Sequence, residues 1–354
     1  MILLALFALS GMQQDTTRTV TWGAFIDTYY AWDFNRPSNL DRSFTTQPAR
    51  HNEFNVNLAH VEVKLSGPRL RGRLALQAGT SVQSNYAGEP RVGTISGPDL
   101  ARNIQEGVIG VRAGRKVWID AGVYLSHIGQ ESWISRDNPT YTRSLIADYS
   151  PYYETGVKAT WAASGKLTAQ LHVLNGWQNI SETNTSKALG MRLDYAASPH
   201  VALGYSNFIG NEAPDTVPSR LRVFNEVFAF VTRDPINVWL TIDYGTQRRA
   251  PAAGSSSWWG AAAIVRFKLN PTMSLSGRLE RYEDPDGVIV TTATPNPFNV
   301  SSGSLGIDVA PFAGALWRTE VRGYTARDAI FPMHGSSGFT THDGVVVSSL
   351  ALTL

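Results

Sequence analysis

The sequence predicts an all-β protein, a transmembrane antiparallel up-and-down β-barrel of about sixteen strands with long extracellular loops and short periplasmic turns. Three observations predict it. From about residue 18 onward, stretches of roughly ten residues alternate apolar with polar side chains. The connections between these stretches themselves alternate short with long. Finally, although 43% of residues are hydrophobic, mean hydropathy is −0.16. No window of about 18 apolar residues occurs, which excludes a helical span.

The elements follow in order. Met1 to Leu9 is an apolar run ending near Ala8, Ser10 and Gly11, the pattern of a secretory h-region and its small-residue cleavage site. No Lys or Arg precedes it, and the first basic residue is Arg18. Residues 1–14 are therefore expected to be an incomplete signal peptide, with the barrel over 15–354.

The first strand is expected from Thr19 to Asp33. Val20, Trp22, Ala24, Ile26, Tyr30 and Trp32 share its lipid face, and Thr21, Gly23, Asp27 and Tyr29 its other face. Trp22 and Trp32 stand roughly 25 Å apart along the membrane normal at the usual rise and tilt, the spacing of two aromatic girdles. Tyr30, Trp161, Trp177 and Trp317 are assigned to the same girdles. Further strands centre near Leu58, Leu76, Val108, Val123, Val157, Leu171, Leu189, Leu203, Val227, Leu240, Ala263, Leu275, Ile307 and Val321, and the last runs from Val345 to Leu354.

The short connections carry turn chemistry: Gly67-Pro68, Gly114-Arg115, Ser164-Gly165, Ser198-Pro199, Asp234-Pro235, Asn270-Pro271 and Pro311-Phe312. Long polar segments fall between them near 34–50, 84–102, 130–150, 284–299 and 327–342, with medium ones near 178–186, 211–219 and 247–256. A soluble β-protein has no reason to sort loop length by parity. Bacterial barrels do, with the short side periplasmic.

Strand positions facing away from lipid carry charge. These are Arg71 and Arg73; Asp120 with Tyr124; Glu154 and Lys158; Arg192 and Asp194; Arg266 and Lys268; Arg278 and Glu280; Arg318, Glu320 and Arg322. An Arg or Lys facing lipid at the midplane costs about 2–4 kcal/mol, so this face requires water or partners. About sixteen strands leave room for an aqueous channel. The Arg/Lys-rich arc of the last strands can set a field favouring anions, or it can neutralise itself, Arg278 against Glu280 and Arg318 and Arg322 against Glu320. The 130–150 connection, with Trp133, Arg136, Asp137, Tyr141 and Arg143, can either fold inward to constrict the channel by docking on those charges or pack on its neighbours at the surface.

Other chemistries find little support. There is no cysteine, and the seven histidines show no His-Glu-x-x-His spacing, so neither metal nor cofactor is expected. Gly303-Ser304-Leu305-Gly306 approaches a nucleophile elbow but lies in a strand pattern, and no phosphate loop occurs. A net charge of +2 argues against nucleic acid. The expectation is a non-enzymatic diffusion channel for small hydrophilic solutes. The alternatives are a phospholipase-like barrel enzyme, which needs an outward Ser/His pair, and a closed structural or adhesin barrel, which would not conduct.

Val117 to Trp177 carries Asp120-Ala121-Gly122, Ile128-Gly129-Gln130-Glu131, Asn138-Pro139-Thr140-Tyr141-Thr142-Arg143-Ser144-Leu145, Pro151-Tyr152-Tyr153-Glu154-Thr155-Gly156 and Asn175-Gly176-Trp177. In order and spacing this segment resembles the OmpL-like family of β-barrel porins. Arg278 to Asp284 and Thr319 to Arg322 resemble that family's later strands. The resemblance implies an outer-membrane porin of a diderm bacterium. The implied partners are the lipid bilayer with its lipopolysaccharide, the barrel-assembly machinery and small solutes, in a monomer or a homotrimer.

Overall fold

The computed structural model describes residues 18–335 and 338–354. The expected signal peptide lies outside the described residues. The first eight strands are β1 (Thr19–Asp33), β2 (Phe54–Ser66), β3 (Leu70–Ala78), β4 (Ile104–Gly114), β5 (Val117–Leu125), β6 (Tyr153–Ala162), β7 (Leu167–Leu174) and β8 (Ala188–Ser198). Next come β9 (Val201–Asn211), β10 (Leu221–Arg233), β11 (Ile236–Arg248), β12 (Ser255–Asn270), β13 (Met273–Asp284), β14 (Phe298–Val309) and β15 (Ala315–Ala326). A two-stranded ribbon, β16 (Phe331–Pro332) with β17 (Phe339–Thr340), decorates the last loop before β18 (His342–Thr353).

Sixteen of these strands, all but β16 and β17, form one closed barrel in which each pairs antiparallel with its sequence neighbours and β18 returns to β1. The seam runs from Phe25↔Thr353 to Asp33↔Val345, so the barrel itself has no free strand edge. Each strand centre expected from the sequence lies inside an observed strand. The short connections are 67–69, 115–116, 163–166, 199–200, 234–235, 271–272 and 310–314, all on one rim, and every longer one lies on the other.

Period-two alternation decides which side chain goes where. Leu171, Val227, Ile242, Leu279, Leu305 and Leu352 face outward and are exposed, part of a continuous apolar belt. Trp22, Trp161 and Trp317 stand outward near the short-turn rim and Trp32 near the long-loop rim, all exposed. Tyr30 also faces outward, its hydroxyl 2.7 Å from Asn52 Oδ1. Trp177 departs from the expectation. β7 ends at Leu174, and Trp177 turns into the barrel mouth, edge-on to Phe208 and Phe224 at 5.0 Å and beneath the Arg222 guanidinium.

The inward face is not uniformly polar. Toward the long-loop rim it buries Tyr29, Phe208, Phe224, Trp258, Tyr282 and Phe298, which pack against loop residues Tyr141, Leu145 and Ile146. Apolar groups there are covered by protein instead of water, so loop residues occupy part of this half of the interior.

Candidate functional site

The connection from β5 to β6 supplies Tyr141, Leu145 and Ile146 to that packing. Its short turns are a 3-10 turn at Ser135–Asp137 and one helical turn, α1 (Leu145–Asp148), whose N-cap Ser144 accepts from the Ala147 N–H at 3.2 Å. Asn138 clamps the loop to itself, accepting from Ser132 N–H at 2.7 Å and donating to the Ser132 carbonyl at 2.8 Å. The loop leaves β5, and α1 meets β11, β12 and β13. β13 is eight strands from β5 around the sixteen-strand ring, so the loop crosses the lumen to the opposite wall.

That wall meets it with guanidinium groups. Arg278 on β13 donates from Nη1 to the Thr142 carbonyl and from Nη2 to Thr142 Oγ1, each at 2.7 Å. Arg318 donates to the carbonyls of Ser135 and Asn138 at 2.7 and 3.0 Å, and Arg322 to the carbonyl of Arg143 at 2.8 Å. Carboxylates take the opposite part. Glu320 accepts from Thr142 N–H at 2.7 Å and Oγ1–H at 2.9 Å, and Glu280 accepts from Leu145 N–H at 2.5 Å. On β1, midway around the ring between β5 and β13, Asp27 accepts from Ser135 Oγ–H at 2.7 Å and Tyr141 Oη–H at 3.3 Å.

Charge within this cluster closes on itself. Arg278 lies 3.1 Å from both Glu280 and Glu320, Arg322 2.6 Å from Glu280, and Arg318 2.8 and 3.0 Å from Asp308. Three guanidinium groups thus face three carboxylates, all buried. Arg278, Glu280, Arg318, Glu320 and Arg322 were expected on the lumen wall facing water. They do face inward, but the loop covers them, because an Arg fork satisfies a strand of loop carbonyls better than it tolerates a confined, partly dry space. The same correction applies to Tyr124 and Glu154, which lie under the root of the loop, and to Asp120, whose carboxylate is held by Arg71 Nε at 2.6 Å.

Of the loop residues singled out from the sequence, Tyr141 and Arg143 are buried and hold the loop's shape, Arg143 donating to the Tyr141 carbonyl at 3.2 Å. Arg136 and Asp137 keep 40% and 53% of their side chains exposed. The other inward charges keep partial exposure nearer the short-turn rim: Arg71 37%, Arg73 22%, Arg192 18%, Asp194 39%, Arg266 28% and Lys268 53%. Lys158, half-buried, sits 4.3 Å over the Tyr124 ring.

Sequence reasoning missed several inward groups. Glu226 on β10 accepts from Gly129 N–H at 2.8 Å and stands directly opposite Asp243 on β11. Gln47, from the first long loop, accepts from Arg143 at 3.2 Å and from Asn57 at 3.2 Å. Parity alone would have placed Glu226 and Asp243 on the inward face; nothing local marks Gln47.

A family model described as "Putative beta-barrel porin-2, OmpL-like" matches residues 19–352. The chain belongs to this porin family. Its barrel is that of an outer-membrane porin channel, and solved porins share the fold. DcaP, an outer-membrane channel of Acinetobacter baumannii, superposes with a TM-score of 0.64 at 10% identity, over 98% of this chain and 100% of that one. OmpT of Vibrio cholerae in its trimer form gives 0.61 at 9% identity, over 95% and 99%. An anion-selective porin from Comamonas acidovorans gives 0.60 at 10% identity, over 96% and 100%. No curated protein matches the sequence.

Proposed function

We propose that this porin is a passive channel for small hydrophilic solutes across a bacterial outer membrane, with its cross-section set by the 130–150 loop and a mild preference for anions. The carrying observation is the loop's route: it leaves β5 and is hydrogen-bonded to Arg278, Arg318 and Arg322 on the far wall. A segment held across the lumen by buried charge-assisted bonds narrows what can pass.

The anion preference rests on the charges that stay wet. Each is ion-paired, but Arg71, Arg73 and Arg266 are more exposed than their partners Asp120, Glu62 and Asp308, so the positive member of those pairs is the one nearer water; Arg192 and Lys268 pair with the more exposed Asp194 and Asp234. The proposed setting is a lipid bilayer with lipopolysaccharide, reached through the barrel-assembly machinery, with Trp22, Tyr30, Trp32, Trp161 and Trp317 at the two interfaces. The assembly proposed is a monomer or a homotrimer, which cross-linking in detergent separates.

Purified protein in a planar bilayer under a salt gradient tests the proposal. Stable current steps with a reversal potential on the anion side support it. A bilayer that stays silent supports a closed barrel instead.

A further inference from the structure

Where the inward loop leaves β5, three side chains from separate segments converge: His127, Glu154 on β6 and His172 on β7. His127 Nδ1 lies 2.8 and 2.9 Å from the two Glu154 oxygens, and His172 Nδ1 lies 3.9 Å from Glu154 Oε2. The two imidazoles stack at 4.2 Å between centroids, and none of the three side chains is more than 1% exposed. Among the described residues, Glu154 forms ion pairs with these two imidazoles alone.

The far nitrogens fix which lone pairs point inward. His127 Nε2 is 2.7 Å from the Asn207 carbonyl, which only accepts, so Nε2 carries the hydrogen. His172 Nε2 is 3.2 Å from Gln170 Oε1, also an acceptor. In a neutral ring each Nδ1 is then a lone pair, and both are turned toward a carboxylate that also has only lone pairs. Tyr124 Oη, 3.4 Å from His172 Nδ1, is too distant to be a strong donor. Something positive belongs between these groups, either a proton on His127 or a metal ion.

The surroundings fit a metal ion. A metal-bound histidine ordinarily donates its distal N–H to a carbonyl or carboxylate, which orients the ring. The three ligand atoms all lie within 4.8 Å of one another, so one ion can reach all three at the roughly 2.0–2.2 Å typical of zinc bonds once the stacked rings tilt to aim both lone pairs at it. Gly190, paired with His172 across β7 and β8, supplies the space. A Cβ there would stand 2.6 Å from His127 Cε1 and Nε2, so only glycine admits the ring. Ser126 Oγ donates to Glu154 Oε1 at 3.1 Å, and a cavity of about 230 Å³ bordered by Ser126, Gly129 and Arg192 adjoins the cluster.

We propose that His127, Glu154 and His172 bind one divalent transition cation, which clamps the root of the inward loop to the wall. Two imidazoles and one carboxylate suit zinc, cobalt or nickel, not calcium or magnesium, which take oxygen ligands.

The test uses the full chain without a histidine tag, folded in detergent, stripped with chelator and titrated with cobalt(II) alone. Visible d–d absorption saturating at one equivalent and bleached by zinc is the expected result. His172→Gln and Glu154→Gln should each weaken cobalt binding at least tenfold. His200→Gln, a change on the short-turn rim, should leave it unaltered. Gly190→Ala, which pushes the His127 ring aside without touching a ligand, should also weaken it. Heat-modifiable gel mobility verifies that each variant is folded. Absence of cobalt absorption in the wild type, or equal binding by a folded His172→Gln variant, would overturn the proposal and leave an imidazolium–carboxylate pair in its place.

Discussion

Arg278 and Thr142, 136 positions apart in the chain, are joined twice: one guanidinium nitrogen reaches the threonine carbonyl and the other its hydroxyl, each at 2.7 Å. Arg278 is also within 3.1 Å of Glu280 and Glu320. One planar fork therefore couples two strands of the wall to the loop. A buried arginine with all its neighbours in place is tolerable; the same carboxylates without it are not.

Arg278→Met is accordingly expected to destabilise the docked loop by about 3–5 kcal/mol, the range for removing one partner of a buried ion pair. Arg278→Lys should rescue only part, since an ammonium keeps the charge and loses the fork. Limited proteolysis in detergent reads this directly. Faster cleavage within 130–150 in the order Met, Lys, wild type is the expected outcome, and equal rates would show that the loop is held by something else.

Ion preference should belong to the exposed basic groups, not to the buried ones. Arg266→Gln with Lys268→Gln leaves Asp308 still paired with Arg318 at 2.8 Å and should move the reversal potential in a salt gradient toward cations. Replacing Arg278, Arg318 and Arg322 together with Glu280, Glu320 and Asp308 removes no net charge and should change conductance more than selectivity. An unmoved reversal potential in the Arg266/Lys268 variant removes the basis for the proposed anion preference.

Asp148, in α1 of the loop, provides a pH test. Burial pushes its carboxyl up to about 6, against the stabilising influence of Arg322 and of hydrogen bonds from Thr46 and Tyr152. In the unfolded chain an aspartate titrates near 3.9. The native state thus holds this proton more tightly. The group's cost is fully present above about pH 6 and disappears as pH falls below about 4. Asp148→Asn keeps an acceptor for Thr46 and Tyr152 while removing the charge. It should raise the unfolding temperature at pH 7 and flatten its rise between pH 7 and 4, a gain of roughly 1–3 kcal/mol at neutral pH. A variant less stable than wild type at pH 7 would contradict this.

Strand positions and facing were legible in the sequence because the side-chain period is two and one face must be apolar; Trp22 and Asp27 declare their sides by parity. Loop lengths gave the two rims for the same local reason. The inward loop was legible only as one of two placements, since its partners Arg278, Glu320 and Arg322 lie on the far wall and their meeting depends on closure of the whole ring. Trp177 was misplaced because β7 ends at Leu174, and three residues beyond a strand its outward face no longer governs where a side chain points. The meeting of His127 and His172 with Glu154, itself expected on the lumen wall, escaped notice for a related reason: it is set by strand register and by the missing side chain at Gly190, neither of which leaves a spacing motif.

Single-channel conductance of the wild type against a chain lacking 136–143 decides whether the loop narrows the channel, since that deletion removes Asn138, Tyr141, Thr142 and Arg143 and with them most of the bonds across the lumen. Both proteins should give stable steps, with a clearly larger step for the deletion. Steps of equal size from two proteins shown to be folded would contradict a channel narrowed by this loop.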